Sequence, residues 1–395
     1  LDAPLCIKFK NGFLLLGLFF VTSTLGGCSS TYFLLRDTSH QQVRSASRTF
    51  ALGVAPELST YIQLWRARNL VVGDFTNVNT AESTVSGQEL HSMLLLDLRQ
   101  ELPGITVSPL AMQDSLADSI AIQGTTRYVP GRADSPSWFK VQLTVTDLGD
   151  ERKIGEASLL INARQFDPMP SRFYRDAPLY LTGARYKERL DTIAGKGKNM
   201  RSVISADSAI ADAVADYENN NFTASEKKFG TISLADSGNL TALSGYYQSL
   251  VKSGKMVEAE QAYANLLKYA IAENNLSVKF LFRVRSREFW DDSELGAQYF
   301  MWIRQIARQV LASGKCLEIS GHASKSGTAE FNESLSLSRA QWVMEQMLKI
   351  EPKLAGRLKA TGKGFRENII GSGSDDALDA IDRRVEFVLS SCKPK

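Results

Sequence analysis

The side chains that could do chemistry in this chain are concentrated in one stretch, Gly321 to Ala340. It carries the imidazole of His322, the hydroxyl of Ser324, the amide of Asn332 and the guanidinium of Arg339. A hydrolytic reading would use Ser324 or His322 as the reactive group. A binding reading fits the spacing better, because Arg339 lies seven residues after Asn332, about two helical turns along on the same face. Spacing gives metal chemistry no support. His40, His91 and His322 lie far apart and none forms a paired ligand pattern, so no metal or other cofactor is expected. The letters Gly371-Ser372-Gly373-Ser374-Asp375-Asp376 are in the wrong order for a phosphate cradle or a nucleophile elbow and read as a surface loop.

The elements that must position these groups follow from pattern. Leu317-Glu318-Ile319-Ser320 alternates as a short strand does, and a serine-rich loop opened by glycine comes next. An amphipathic helix follows, with Leu335, Ser338, Val343 and Met347 on its apolar or small face. Asn332 stands just before that run, where its side chain can satisfy backbone donors near a helix start. A loop and one helical face therefore converge on one spot.

These residues resemble the signature of the OmpA-like peptidoglycan-associated domain, shared by porin tails, peptidoglycan-associated lipoproteins and flagellar stator subunits. The matching letters are Gly321, His322, Gly327, Thr328, Asn332, Leu335, Ser336, Arg339 and Ala340. Gly362-Lys363-Gly364 resembles the family's third-strand turn and Asp382-Arg383-Arg384-Val385-Glu386 its last strand, so the resemblance covers residues 275–392. It implies a βαβαβ-type sandwich of helices on a mixed sheet, with Phe280 to Ser286 as first strand. It also implies non-covalent peptidoglycan binding at Ser324, Asn332, Leu335, Arg339, Arg383 and Arg384. In the family a loop aspartate takes the ammonium of diaminopimelate and the helix arginine takes its carboxylate. Here Ser324 stands where that aspartate should be, and Arg283 and Arg285 stand where the family often carries acids. A charge-assisted hydrogen bond contributes roughly 1.5–3 kcal/mol, so the exchange weakens such binding by about ten- to a hundred-fold. Two readings stay open: a weakened wall site, or a degenerate site on a protein-interaction module of a flagellar or secretion machine. A cell-wall hydrolase is a minor third.

At the other end, Lys8 and Lys10 precede the apolar run Phe13 to Val21, which is too short to span a bilayer and reads as a secretory signal over residues 1–27. Leu25-Gly26-Gly27-Cys28 resembles a bacterial lipobox, which implies acylation of Cys28 and, with Ser29 next, an outer-membrane protein facing the periplasm. Acyl chains contribute roughly 0.8 kcal/mol per buried methylene, enough for a lasting anchor when several share one residue. An ordinary cleaved signal is the alternative. No other stretch approaches eighteen apolar residues, and a net charge of +3 with 23% charged residues asks for no nucleic-acid partner. Cys316 and Cys392 are left as a pair, bridged in an oxidising compartment or kept as two buried thiols.

Between the ends, residues 28–60 read as the lipidated cysteine and a tether, and residues 61–164 as an α/β sandwich. The sandwich letters run in order: the strand Asn69 to Phe75, the leucine-rich helix Ser86 to Leu102, the strand Ile105 to Val107, then strands at Ala121 to Tyr128, Phe139 to Val145 and Ala157 to Ile161. This order resembles the FlgO-type outer-membrane lipoproteins, and more distantly the CsgG-type and LpoB-type folds. Residues 165–200 read as a connector with three prolines. Residues 201–275 superpose on themselves at the tetratricopeptide period, Tyr217 on Val251, Phe222 on Met256 and Phe229 on Tyr263. The alternative is a four-helix spacer. Two repeats cannot bury a core unaided, so they should lean on a neighbour or on an envelope protein partner near Tyr246, Tyr247 and Gln248. The whole is a multidomain α+β chain, 276–395 being its OmpA-like part, read as a non-enzymatic scaffold that contacts peptidoglycan.

Overall fold

The computed structural model of this chain describes residues 33–35, 39–40, 42–65, 69–112, 116, 118–131, 135–180, 184–194, 196–197, 199–289, 293–369, 371, 373 and 378–392. The secretory signal and Cys28 lie outside the described residues, as does most of the Gly371 to Asp376 loop. The strands are β1 (Phe33–Leu35), β2 (Ser39–His40), β3 (Asn69–Asn77), β4 (Thr106–Pro109), β5 (Ser119–Val129), β6 (Trp138–Asp147), β7 (Arg152–Asn162), β8 (Cys316–Gly321), β9 (Leu358–Gly362) and β10 (Val385–Ser390). The helices are α1 (Val43–Trp65), α2 (Val85–Glu101), α3 (Arg172–Asp176), α4 (Ala184–Ile193), α5 (Met200–Glu218), α6 (Phe222–Ala235), α7 (Leu240–Lys252), α8 (Met256–Ala272), α9 (Ser293–Ser313) and α10 (Ala329–Ile350). They make an α+β protein with two mixed sheets. The chain divides into two compact units, one from residues 1–75, 87–166 and 189–205, the other from 76–86, 167–188 and 206–395.

The first unit is built on a sheet of order β1-β7-β6-β5-β3-β4, with β2 also beside β7. Strand β6 pairs antiparallel with β5 and β7, while β1 and β2 run parallel to β7 and β4 parallel to β3. The alternation Phe139, Val141, Leu143, Val145 buries one side of β6, which fixes its register, since a one-residue slip would turn all four to the face that carries Lys140, Gln142, Thr144 and Thr146. The order β3, α2, β4, β5, β6, β7 is the order the letters spell. Residues 43–60 differ from the tether reading, because they form most of α1. Phe50, Val54 and Leu58 recur at four-residue steps and are fully buried. Ser47 donates to the buried Asp97 carboxylate of α2 at 2.6 Å, so α1 is a packed layer of this unit.

In the second unit, α5 from Ala206 onward and α6 to α8 follow one another as helical hairpins. Asn220 and Gly254, 34 residues apart, both take left-handed backbone at φ 63° and 73°. Behind them Asn221 N–H bonds Asp216 C=O and Lys255 N–H bonds Leu250 C=O, the six-to-one bond that closes a helix end. The connector contributes α3, whose Phe173 stacks on Phe229 at 5.4 Å and meets Tyr217 edge-on.

Where the sequence suggested a boundary at 275/276, the structure runs one core across it. Tyr247 and Tyr263 of the repeats, Trp302 of α9, Ile319 of β8, Val343 of α10 and Phe387 of β10 belong to a single buried cluster. Trp302 Nε1 donates to the Tyr247 hydroxyl at 2.7 Å, and that hydroxyl donates to Gln298. Tyr247 and Gln248 are buried, and the expectation that they face an outside partner is corrected: the Tyr247 hydroxyl is bonded to α9, and the Gln248 amide donates to Ser244 of its own helix.

The second sheet has the order β10-β8-β9, antiparallel then parallel. Helix α10 lies so close on it that a Cβ at Gly321 would meet the Ser336 carbonyl oxygen at 1.8 Å, and one at Gly362 the Glu333 carbonyl oxygen at 2.6 Å. Cys316 and Cys392 are joined in a disulfide with Cα atoms 5.0 Å apart, tying the start of β8 to the end of β10. The expected first strand differs. Phe280 to Ser286 makes one bridge, Phe282 to Phe289, because the main chain turns at Arg285, whose φ is 53°. Just before it, buried Lys279 pairs with buried Glu82 and donates to the Tyr174 carbonyl at 2.6 Å.

Candidate functional site

The site is the junction where β8 ends, α10 begins and β10 starts. Thr328 caps α10, its Oγ1 accepting from Phe331 N–H at 3.2 Å. Asn332, expected near the start as a cap, instead lies inside the first turn. Its amide donates backward to the carbonyls of Ser326 and Thr328 at 2.7 and 3.1 Å and closes the loop on the helix. One turn on, the Ser336 hydroxyl accepts from Gly364 N–H at 2.9 Å, so the β9 turn is pinned to the same helix.

Arg339 is fully buried. Its Nε donates to the Ser286 carbonyl at 2.8 Å, Nη1 to the His322 carbonyl at 3.0 Å and Nη2 to the Arg283 carbonyl at 2.9 Å, while the guanidinium lies over the Phe282 ring at 5.1 Å. The residue thus joins the loop after β8 to the segment 282–286. Arg383 is also buried and donates to the Phe282 carbonyl at 3.3 Å. Arg384 donates to Glu386 at 2.8 Å and to the Glu367 carbonyl at 3.2 Å. Ser324 is buried and Leu335 half-buried. Bonds at this junction involve Asn332, Arg339, Arg383 and Arg384, and the three arginines are aimed at main-chain or acidic acceptors of this chain.

Two acids that the sequence reading gave no role in the site are fully buried here, Asp379 and Asp382. The Asp382 carboxylate accepts from Ile369 and Gly371 N–H at 2.6 and 2.7 Å and so anchors the loop before β10. The cue for it was available, an acid immediately before two arginines. His322 serves the junction through its main chain, its N–H donating to Arg384 C=O and its carbonyl accepting from Arg339. Its ring is fully buried, and neither ring nitrogen finds a hydrogen-bond partner of good geometry. Nε2 stands 3.5 Å from a Glu386 oxygen, a charge contact longer than a hydrogen bond. Burial pushes the His322 pKa below its ordinary value, a shift that Glu386 partly opposes. For Glu386, burial alone would raise the carboxyl, but His322 and Arg384 outweigh it and hold it at about 2.

Among the described residues no group of three or more His, Cys, Asp or Glu side chains could hold a metal ion, and no helix is long and apolar enough to cross a membrane. No family model and no curated protein sequence matches the chain. Among solved structures it is similar to the peptidoglycan-associated lipoprotein from Burkholderia pseudomallei, at 23% identity over 28% of this chain and 88% of that one, with a TM-score of 0.24. It is also similar to a putative MotB-like protein from Desulfovibrio vulgaris, at 22% identity over 34% of this chain and 96% of that one, with a TM-score of 0.23.

Proposed function

We propose that this chain is a cell-envelope lipoprotein, acylated at Cys28, held on the periplasmic side of the outer membrane, whose C-terminal part contacts peptidoglycan without a covalent bond. The observation that carries the reading is the meeting of Gly321, Asn332, Arg339, Gly362 and Arg384 at one loop–helix–strand junction. The reading assigns no catalytic step. Ser324 offers a hydroxyl where an ammonium would need a carboxylate, so wall fragments with a free diaminopimelate amine bind weakly. Ser324→Asp should strengthen co-sedimentation of the full chain with purified sacculi several-fold, with thermal melting as the control for folding. Absence of the wild-type chain from every sacculus pellet would refute wall contact, and native mass spectrometry lacking an acylated Cys28 would refute the anchor.

A second reading is favoured by one specific observation, the inward donation of Arg339. A guanidinium engaged with three carbonyls is poorly available to a ligand carboxylate, which suits a domain kept as a protein-interaction module. Crosslinking in cells separates the two: contacts to one protein with no wall binding would support this second reading.

A further inference from the structure

The tip 283–288, on the chain's side of Arg339 away from β8, is a turn with a cost built into it. Ser286 N–H bonds Arg283 C=O at 3.3 Å, which makes Arg285 the third residue of a four-residue turn, at φ 53°. Glycine or asparagine is the low-strain choice there, and an arginine held left-handed persists only where its surroundings dictate it. The surroundings are firm. Arg283 N–H bonds Glu288 C=O at 3.0 Å, the Ser286 hydroxyl accepts from Glu288 N–H at 2.9 Å, and buried Arg339 holds the carbonyls of Arg283 and Ser286 from beneath.

What this braced turn displays is positive charge. Arg283, Arg285 and Arg287 are exposed, with Val284 between them. Arg283 has a loose contact with the exposed Glu288 at 3.7 Å. Arg285 and Arg287 have no ion pair or hydrogen bond among the described residues. The guanidinium is planar and forked, a match for carboxylates that an ammonium lacks. One buried side chain, Arg339, holds both this tip and the His322 carbonyl of the proposed wall site.

From this we infer that the tip 283–288 is a preformed docking surface for the carboxylates of peptidoglycan stem peptides, with Arg285 and Arg287 supplying the guanidinium forks and Arg339 acting as the positioning residue that holds them out. The inference rests on the wall reading and changes its chemistry: the anion is met by the exposed tip, and the buried arginine holds the tip in shape. A single half-exposed valine gives little apolar surface for a bilayer, which favours the polymer over a membrane.

The test is co-sedimentation of the full-length chain with purified sacculi, with sacculi whose stem carboxylates have been amidated, and with vesicles of phosphatidylethanolamine and phosphatidylglycerol. The variant is Arg285→Asn with Arg287→Gln, asparagine being chosen because it tolerates left-handed backbone. Untreated sacculi should bind the double variant about ten-fold or more weakly. Amidation should weaken the wild-type chain to the same degree and the variant no further. Arg285→Lys with Arg287→Lys should fall between, keeping charge without the fork. Wild-type affinity in the double variant would overturn the inference while leaving the wall reading standing, and so would a loss confined to vesicles. A wild-type chain that pellets with no sacculi removes both.

Discussion

A buried guanidinium must find acceptors, and Arg339 finds them in main-chain carbonyls from two separate loops. Beside it, the pair His322 and Glu386 makes stability depend on pH in one direction. Burial lowers the His322 pKa below 6.5, so as pH falls past that value the unfolded chain takes up a proton first and the fold loses ground. Glu386 is held at about 2, below its ordinary 4.5, so its contribution is present above 4.5 and is lost between 4.5 and 2. The thermal midpoint should therefore decline from about pH 6.5 downward and more steeply below 4.5, and His322→Gln should remove the upper part of the decline. Melting curves across that range decide it; a wild-type midpoint level between the two values would contradict the assignment. The sequence made the site's residue types legible. It did not reveal that Arg339 points inward, because orientation depends on the turn at Arg285, where the letter gives no hint of a left-handed backbone.

Helix α10 meets its sheet through two glycines, and the closeness of that contact aligns the helix face with the loop after β8. Gly321→Ala would drive a methyl group into the Ser336 carbonyl, where backbone cannot swing aside as a side chain could. The expected cost is about 1–3 kcal/mol, read as a lower urea midpoint with unchanged slope. Elements with clean periodicity, β3, α2 and β5 to β7, were legible from their letters alone. Helix α1 was not, because alanines dilute its apolar stripe and Pro56 sits in its middle, a residue that normally ends a helix. The expected first strand misled in the opposite way. Phe280 and Phe282 are buried at alternate positions as a strand would have them, but Val284 is exposed and the main chain has already turned.

Across the whole molecule, neither unit is a continuous piece of chain, which no local pattern in the sequence could reveal. The second unit is tied together by the buried pair of Lys279 and Glu82, residues 197 positions apart. Lys279→Ala should cost about 3–5 kcal/mol, because it leaves the Glu82 carboxylate buried without its cation. Lys279→Met combined with Glu82→Gln should recover much of that loss, and denaturant unfolding of the full chain reads both. A single variant as stable as wild type would show that Glu82 finds another partner.

Interleaving also sets the order in which this protein can be finished as it emerges N-terminus first. The first unit lacks its last piece until residue 205 is out, and the strip 76–86 of the second unit waits for residues 167–171 to bond its main chain and for Lys279 to pair with Glu82. Glu82 must wait in water, hydrated and charged, until Lys279 arrives. The strip 76–86 thus stays incompletely paired until Lys279 is out, although its main chain is bonded earlier by residues 167–171. Until the C-terminal half is delivered, the chain depends on whatever keeps half-made proteins from sticking to one another.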